Sequence, residues 1–550
     1  MLTRRRFLTQ LTLAPVAARP LASLSALTVL SGAEAAADLV IVGGGAGGCA
    51  AALAACQRGL RVIMTEESLW IGGQFTAQAV PPDENRWIES IGGTASYRAL
   101  RETVRDHYRR DPALLERARR NARLNPGNGW VSRICAEPRV WLASIEAMLA
   151  PHVAEGRLRI LRGTRLHGVD VHRDVIRAVR VRDARDAEQV LHARYFADAT
   201  ELGDLLALSG AEHVSGAESR TMTGEPHAPA EYQPDNQQSF TVVFAMEHRA
   251  GEHHVSDRPA EYAHWRAATV EVNGTAWPLL GFEEPANKRI GFDPVARTGY
   301  WSYRRIIDQT LFAPGTHPGD VTLVNWWQND YADGPLVGVP ASDAAAHVRA
   351  AGALSRCLLY WLQTEAPRPD GGLGWPGLRL RADIVGTSDG LAMMPYIRES
   401  RRLLTQTIVR EQDVLRSLQP AGKETTAFPD SVGIGHYAMD LHRTTRGDTG
   451  GYGDTIPFQI PLGALVPVRL GNLLPACKNF GVTHLTNGCY RLHPIEWNVG
   501  EAAGHLVAQA IRTQVPPTAI HANVERTRDL QRTLTNAGVP LAWPTPLPTT

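Results

Sequence analysis

The sequence predicts an α/β protein: a Rossmann-like, parallel nucleotide-binding domain carrying a β-meander, with an α+β cap domain inserted into it. Three observations predict that class. A strand, a glycine loop, a helix and a second strand follow one another from Asp38 to Glu67. Four short β runs begin at Leu158, and a glycine-bearing helical segment returns at Pro494 after a long stretch of different character. The expected order is a leader at 1–35, the first part of the nucleotide-binding domain at 36–211 and the cap at 212–418. The closing part of the first domain follows at 419–515, then an extension at 516–550.

The leader opens "MLTRRRFLTQ". Thr3, Arg4, Arg5, Phe7 and Leu8 fit the twin-arginine pattern S/T-R-R-x-F-L, a weakly apolar stretch follows, and "AEAA" offers cleavage after Ala35. These features in this order predict a periplasmic or secreted protein carried by the twin-arginine translocase, a route that takes folded chains. Pro15, Arg19 and Pro20 interrupt a run that would need about 20 apolar residues to span a bilayer.

The next segment justifies the parallel core. Asp38 to Val42 has strand length and composition, and Gly43, Gly45 and Gly48 follow as GxGxxG. The first glycine permits the tight turn, the second lets a pyrophosphate approach the backbone, and the third lets helix and strand pack closely. The helix "AGGCAAALAACQRG" points its positive end at the phosphates, and Gly59 closes it. "LRVIMTE" is the second strand, and Glu66 stands at its end, where an acid bonds a ribose hydroxyl. These residues fit NAD and FAD alike.

The continuation separates the two. "ESLWIGGQFT" brings Gly72, Gly73 and Gln74 close behind Glu66, where an NAD domain proceeds to its next helix. The β runs "LRILRG", "LHGVDVH", "VIRAVRVRD" and "QVLHARYFADAT" read as a meander ending in "ADATELGDLLALSGA". Here the chain resembles bacterial FAD-dependent oxidoreductases with a glutathione-reductase-like FAD domain, related to fumarate-reductase flavoproteins and GidA-like proteins. Their second fingerprint, D-A-T-G-x-G-D, is met by Asp198, Ala199, Thr200, Gly203 and Asp204, with Glu201 in place of the first glycine. Ile456 to Ile511 resembles the segment that closes over the flavin. The resemblance implies FAD, and since no residue sits in a recognisable attachment motif the expectation is non-covalent binding, with Gly43, Gly45, Gly48, Glu66, Gly72, Gly73, Gln74, Ala199, Thr200, Asn498 and Gly500 as the binding residues. Pro494 suits a helix start, and that helix would direct its N-terminus at the flavin pyrimidine edge.

In the cap, Asp320 to Tyr331 reads as a strand and Asp343 to Ala366 as a helix. The helix places Leu354, Leu358, Tyr360, Trp361 and Leu362 at core spacing. Arg398, Glu399, Arg401 and Arg402 read first as a salt-bridged surface, with Arg398 as an anion clamp the lesser reading.

Flavin chemistry needs a neighbouring acid or base, and His suits either role near neutral pH. His484, Arg491 and His493, read as a loop before the flavin-facing helix, are the candidate catalytic residues; His436, Asp440 and His442 form a second polar group. The expected function is hydride transfer between a small organic substrate and flavin N5, with an electron acceptor that the sequence does not name. The alternatives are a reductase of fumarate-reductase type and a non-catalytic flavin-carrying binding protein. A pyridine-nucleotide:disulfide oxidoreductase would need a redox cysteine pair soon after the first strand-helix-strand unit, and the chain has none.

Composition removes other classes. Lys and Arg number 57 against 56 Asp and Glu, a formal net charge of +1 that offers no nucleic-acid surface. Six cysteines without a CxxC exclude a disulfide scaffold or zinc ribbon, and no metal site is expected. Cys477 and Cys489 are close enough in sequence to pair in an oxidising compartment. Thirteen tryptophans suit sugar stacking as well as core packing.

Overall fold

The computed structural model describes residues 37–549, apart from 273, 285–287 and 452. The arginine pair, apolar run and cleavage site of 1–35 lie outside the described residues.

Strand β1 (Ala37–Val42) leads through the glycine loop into helix α1 (Ala46–Gln57) and strand β2 (Val62–Glu66). Helices α2 (Ala95–Arg109) and α3 (Pro138–Ala154) precede strand β3 (Leu158–Arg162). Strands β4 (Arg165–His172), β5 (Val175–Arg182) and β6 (Glu188–Asp198) follow. They form one sheet in the order β3-β2-β1-β6-β5-β4. β3, β2, β1 and β6 are parallel, while β4, β5 and the first half of β6 are antiparallel. The first of the four expected meander runs is therefore a parallel edge strand, because helix α3 carries the chain back before it. The meander has three strands. β1 is buried along nearly its whole length, as a parallel strand covered on both faces must be.

The stretch expected as a cap holds strands β7 (Phe244–His248), β8 (Arg305–Ile307) and β9 (Val321–Val324), helix α4 (Ala341–Thr364) and strand β10 (Leu378–Leu380). The strands make a separate sheet, β8-β9-β7-β10. Its core gathers Phe244, Met246, Trp265, Phe292, Trp301 and Trp326, with Leu354, Leu358, Trp361 and Leu362 of α4, and Tyr360 packs at its border. The aromatics of α4 are core, as their spacing suggests.

The chain returns through β11 (Ser431–Gly435), β12 (Phe458–Pro461) and β13 (Leu473–Pro475), then α5 (His484–Tyr490) and α6 (His493–Thr513). β13 pairs in parallel with the end of β6. Helix α6 is buried through most of its length and crosses α1 so closely that a Cβ at Gly500 would collide with the Gly47 carbonyl oxygen. The small side chains of α1 make that approach possible. Among the described residues no helix is long and apolar enough to cross a membrane.

All six cysteines are buried and free. Cys477 and Cys489 do not pair: the first thiol donates to Glu496 Oε1 and the second to the Thr486 carbonyl.

Candidate active site

Where β1 ends, the backbone turns at Gly43 with φ of +98°, and a Cβ there would collide with the Ala199 carbonyl at the end of β6. Two strand ends are thus pressed together around one open groove of about 590 Å³. Gly43, Gly45, Glu66, Gly73, Ala199 and Thr200 are on its wall, beside Thr164, Arg165 and Gln78. Glu66 is fixed by the Gly44 N–H at 2.9 Å and the Ser68 N–H at 2.8 Å, and burial pushes its carboxyl up to about 7.

The other five expected cofactor residues stand behind this wall. Gly48 allows the turn to close on Gly43, and the Gly72 N–H donates to the Gly44 carbonyl at 2.7 Å. The Gln74 amide donates to the Arg491 carbonyl at 3.1 Å and to Glu496. Asn498 holds β11 through the Val432 carbonyl and the Ile434 N–H, and Gly500 serves the contact with α1. These five shape the groove without lining it.

Glu201, the residue that replaces a fingerprint glycine, is also on the wall. Its carboxylate pairs with Lys478, whose ammonium lies 3.7 Å from Glu496 as well. Glu496, in the first turn of α6, accepts the Gly47 N–H at 3.1 Å and the Cys477 thiol. Glu201, Cys477 and Glu496 are close enough together to hold a cation, and the Lys478 ammonium supplies that charge.

A second cavity, of about 570 Å³, has a different wall: Arg304, Arg398, Arg443 and Arg491 against Asp83, Asp330 and Asp440, with His442 between. Asp330 is buried and bonds His442 Nδ1 at 2.5 Å, Arg398 at 2.9 Å and the Thr241 hydroxyl at 2.5 Å. His442 Nε2 lies 3.3 Å from Asp440, whose side chain is 43% exposed, and Arg491 lies 3.3 Å from the same carboxylate. Burial and the Arg398 charge push His442 down, but Asp330 and Asp440 outweigh them and hold it above its ordinary 6.5. Burial raises Asp440, and the charges of His442 and Arg491 bring it well below the usual carboxylate range.

Of the three expected catalytic residues only Arg491 reaches this cavity, donating also to the Tyr396 hydroxyl at 2.8 Å. His484 is not in a loop; it opens α5 and is buried against Glu399 at 2.9 Å. Glu399 in turn binds Arg402, and Arg402 binds Glu218 at 3.0 Å. Arg398, Glu399 and Arg402, expected at a surface, are therefore buried ion-paired groups, packed against Asp330, His484 and Glu218. His493 opens α6, fully buried, its Nδ1 accepting the Asp83 N–H at 3.3 Å; burial and the Arg304 charge hold it neutral. His484 and His493 line neither the groove nor the cavity. Asp440 and His442 do line the cavity, while His436 packs on Trp87, and burial lowers its pKa to about 4. Asp83, Arg304 and Arg443 carried no signal in the sequence, and Asp330 was only the end of a strand.

Groove and cavity share a wall. Along 395–398, Pro395 and Ile397 face the groove, whereas Tyr396 and Arg398 face the cavity. Alternation of this kind is what an extended backbone imposes.

No curated protein matches the chain. Among solved structures, p-nitrophenol 4-monooxygenase PnpA from Pseudomonas putida DLL-E4 is 10% identical over 92% of this chain and 87% of its own, with a TM-score of 0.33. Glycerol-3-phosphate dehydrogenase from Bacillus halodurans, complexed with FAD, is 12% identical over 38% and 39%, with a TM-score of 0.23. The myxobacterial chondrochloren halogenase CndH, an FAD-dependent enzyme, is 16% identical over 40% and 45%, with a TM-score of 0.21. The chain matches less than half the length of the latter two. The glycine-walled groove at the head of α1, with Glu66 fixed at the end of β2, fits FAD. Residues 38–534 match the family described as FAD dependent oxidoreductase, and the chain belongs to that family of enzymes.

Proposed function

We propose that the protein is an exported dehydrogenase or oxidase that moves a hydride between a small organic substrate and the flavin N5. The observation that carries this reading is the shared wall, which sets a polar cavity directly against the cofactor groove. FAD, when bound, supplies the two-electron redox chemistry. The protein's part is to hold the substrate and to handle one proton.

His442 is the residue we assign to the proton. Asp330 fixes its Nδ1, as a buried carboxylate fixes a catalytic imidazole, and Nε2 is left toward Asp440 at a long 3.3 Å. A substrate hydroxyl entering beside Asp440 can take the place of that weak contact. In the neutral form His442 removes the hydroxyl proton as the carbon gives up hydride. Arg491, held by Tyr396, keeps a fixed positive charge beside the reacting oxygen. Because the His442 pKa is raised, the neutral base becomes available only as pH climbs past about 6.5, so substrate oxidation should rise through that limb. The protonated form favours the opposite direction, substrate reduction, at lower pH. Export rests on the Arg4–Arg5 pattern, and changing both to Lys should hold the precursor inside the cell.

The test is anaerobic flavin reduction by compounds found in a screen of sugars, polyols, amines and hydroxy acids. His442→Gln should keep FAD and slow reduction by about 10²–10⁴-fold, the usual contribution of general acid–base catalysis, with the pH limb abolished. His484→Gln should keep the limb. Wild-type rate and pH profile in His442→Gln would remove His442 from the mechanism.

A further inference from the structure

The walls of the second cavity are unevenly supplied with donors and acceptors. Four arginines and His442 face three aspartates. Arg443 has no ion pair among the described residues, only the Asp330 carbonyl at 2.8 Å, and burial lowers its pKa. Arg304, Arg398 and Arg491 each have an aspartate within 3.5 Å, so Arg443 is the wall's cation left over for a ligand. A surplus of cation suits a ligand with negative charge.

Two further observations narrow the ligand. Asp440, largely paired but 43% exposed, is an acceptor facing the cavity, which a pure anion site would exclude and a hydroxyl would use. Trp130 is 56% exposed at the rim, tilted against Tyr303 at 4.3 Å, and Trp327 lines the same cavity. Flat aromatic faces of this kind cover the C–H face of a sugar ring. Donors for a carboxylate, an acceptor for hydroxyls and aromatic walls for a ring occur together in one space.

We propose that the cavity binds an acidic carbohydrate, a sugar ring carrying a carboxylate, with Arg443 as the charge that selects the carboxylate. This rests on the reading of the cavity as the substrate site. A phosphate ester would need a tighter cluster of free cations than Arg443 alone provides. The wide cavity volume, about 570 Å³, accommodates a monosaccharide with room for more.

The test is equilibrium binding to the FAD-loaded protein, followed by calorimetry, so that no turnover is required. The probes are D-glucuronate, D-galacturonate and D-mannuronate, with D-glucose lacking the charge and cyclohexanecarboxylate lacking the hydroxyls. At least one uronate should bind about tenfold or more tightly than either control, the margin expected when a charge-assisted pair is added to a neutral contact set. Arg443→Gln should erase the margin over glucose while leaving FAD content unchanged, and added salt should shrink it. Trp130→Ala should weaken the uronates and glucose alike, leaving the margin between them unchanged. The proposal is overturned if glucose or cyclohexanecarboxylate binds as well as every uronate, or if none of the three uronates binds. Uronate binding without flavin reduction would support the ligand class and count against the hydride-transfer reading.

Discussion

The two cavities are nearly equal in size, about 590 and about 570 Å³, and they are built on opposite principles. One end of the groove is backbone: Gly43, Gly45 and Gly73 bring main chain to its surface, and Glu66 beside them is held by the N–H groups of Gly44 and Ser68. The second cavity is walled by long charged side chains whose positions depend on one another, Asp330 through Arg398 and His442, Asp440 through His442 and Arg491. A backbone wall is set by the turn itself. A wall of coupled ion pairs changes as a set, because removing one partner leaves the other buried and unpaired.

The strongest way to break this comparison is to fill the backbone wall. A Cβ at Gly45 meets the ends of Glu201 and Glu496, at 3.1 and 3.3 Å, and the Ala199 carbonyl oxygen at an ordinary 3.5 Å, and the residue has an ordinary φ of −60°. Gly45→Leu should therefore fold and remain colourless, with flavin absorbance lost; full FAD occupancy would show that the groove is not where FAD sits. Smaller in effect is Gly500→Ala, whose methyl collides with α1 away from both cavities. It should lower stability by about 1–3 kcal/mol, the cost of overpacking, with little direct effect on substrate affinity. Denaturant midpoints at saturating FAD measure this.

The smallest effect sharpens the comparison by sign. His442 has its pKa raised, so its ion pairs stabilise the fold below pH 6.5 and that stability is lost as pH rises through the folded value. His493 has its pKa lowered, so the unfolded chain gains a proton that the folded chain refuses, and stability falls as pH drops below 6.5. The melting temperature of His442→Gln relative to wild type should worsen from pH 7 to pH 5, while that of His493→Gln should improve. Parallel slopes would refute the assignment of opposite environments.

The same contrast explains what could be read from the sequence. Gly43, Gly45, Glu66, Gly73, Ala199 and Thr200 were legible because each belongs to a short motif at or just beyond the end of β1, β2 or β6, and each motif is a local matter. The second cavity draws on segments near 83, 304, 325–330, 396–398, 440–443 and 491. Only the fold brings these together, so a charged residue there looks like any surface charge. Arg398 shows the cost: beside Glu399 and Arg402 it reads as a solvated ion-pair run, whereas its partner, Asp330, is far away in sequence and buried with it. His484 and His493 misled for a related reason. Closeness in sequence to the helix expected to face the flavin put them beside the cofactor on paper, but α5 and α6 direct both side chains into the packed interior. Meander and helix periodicity survived the translation into structure, apart from β3, whose parallel pairing depends on the helices before it.

The wall at 395–398 has a consequence for anyone who would re-engineer this enzyme. Because neighbouring side chains serve different compartments, an added or deleted residue there would exchange their assignments, turning Arg398 toward the cofactor and an apolar side chain toward the ligand. Length is thus frozen in this segment. Identity is constrained on the cavity side, where Tyr396 holds Arg491 and Arg398 holds Asp330, so a change at either has to be matched by its partner. One short extended segment serves two compartments, on condition that nobody changes its parity.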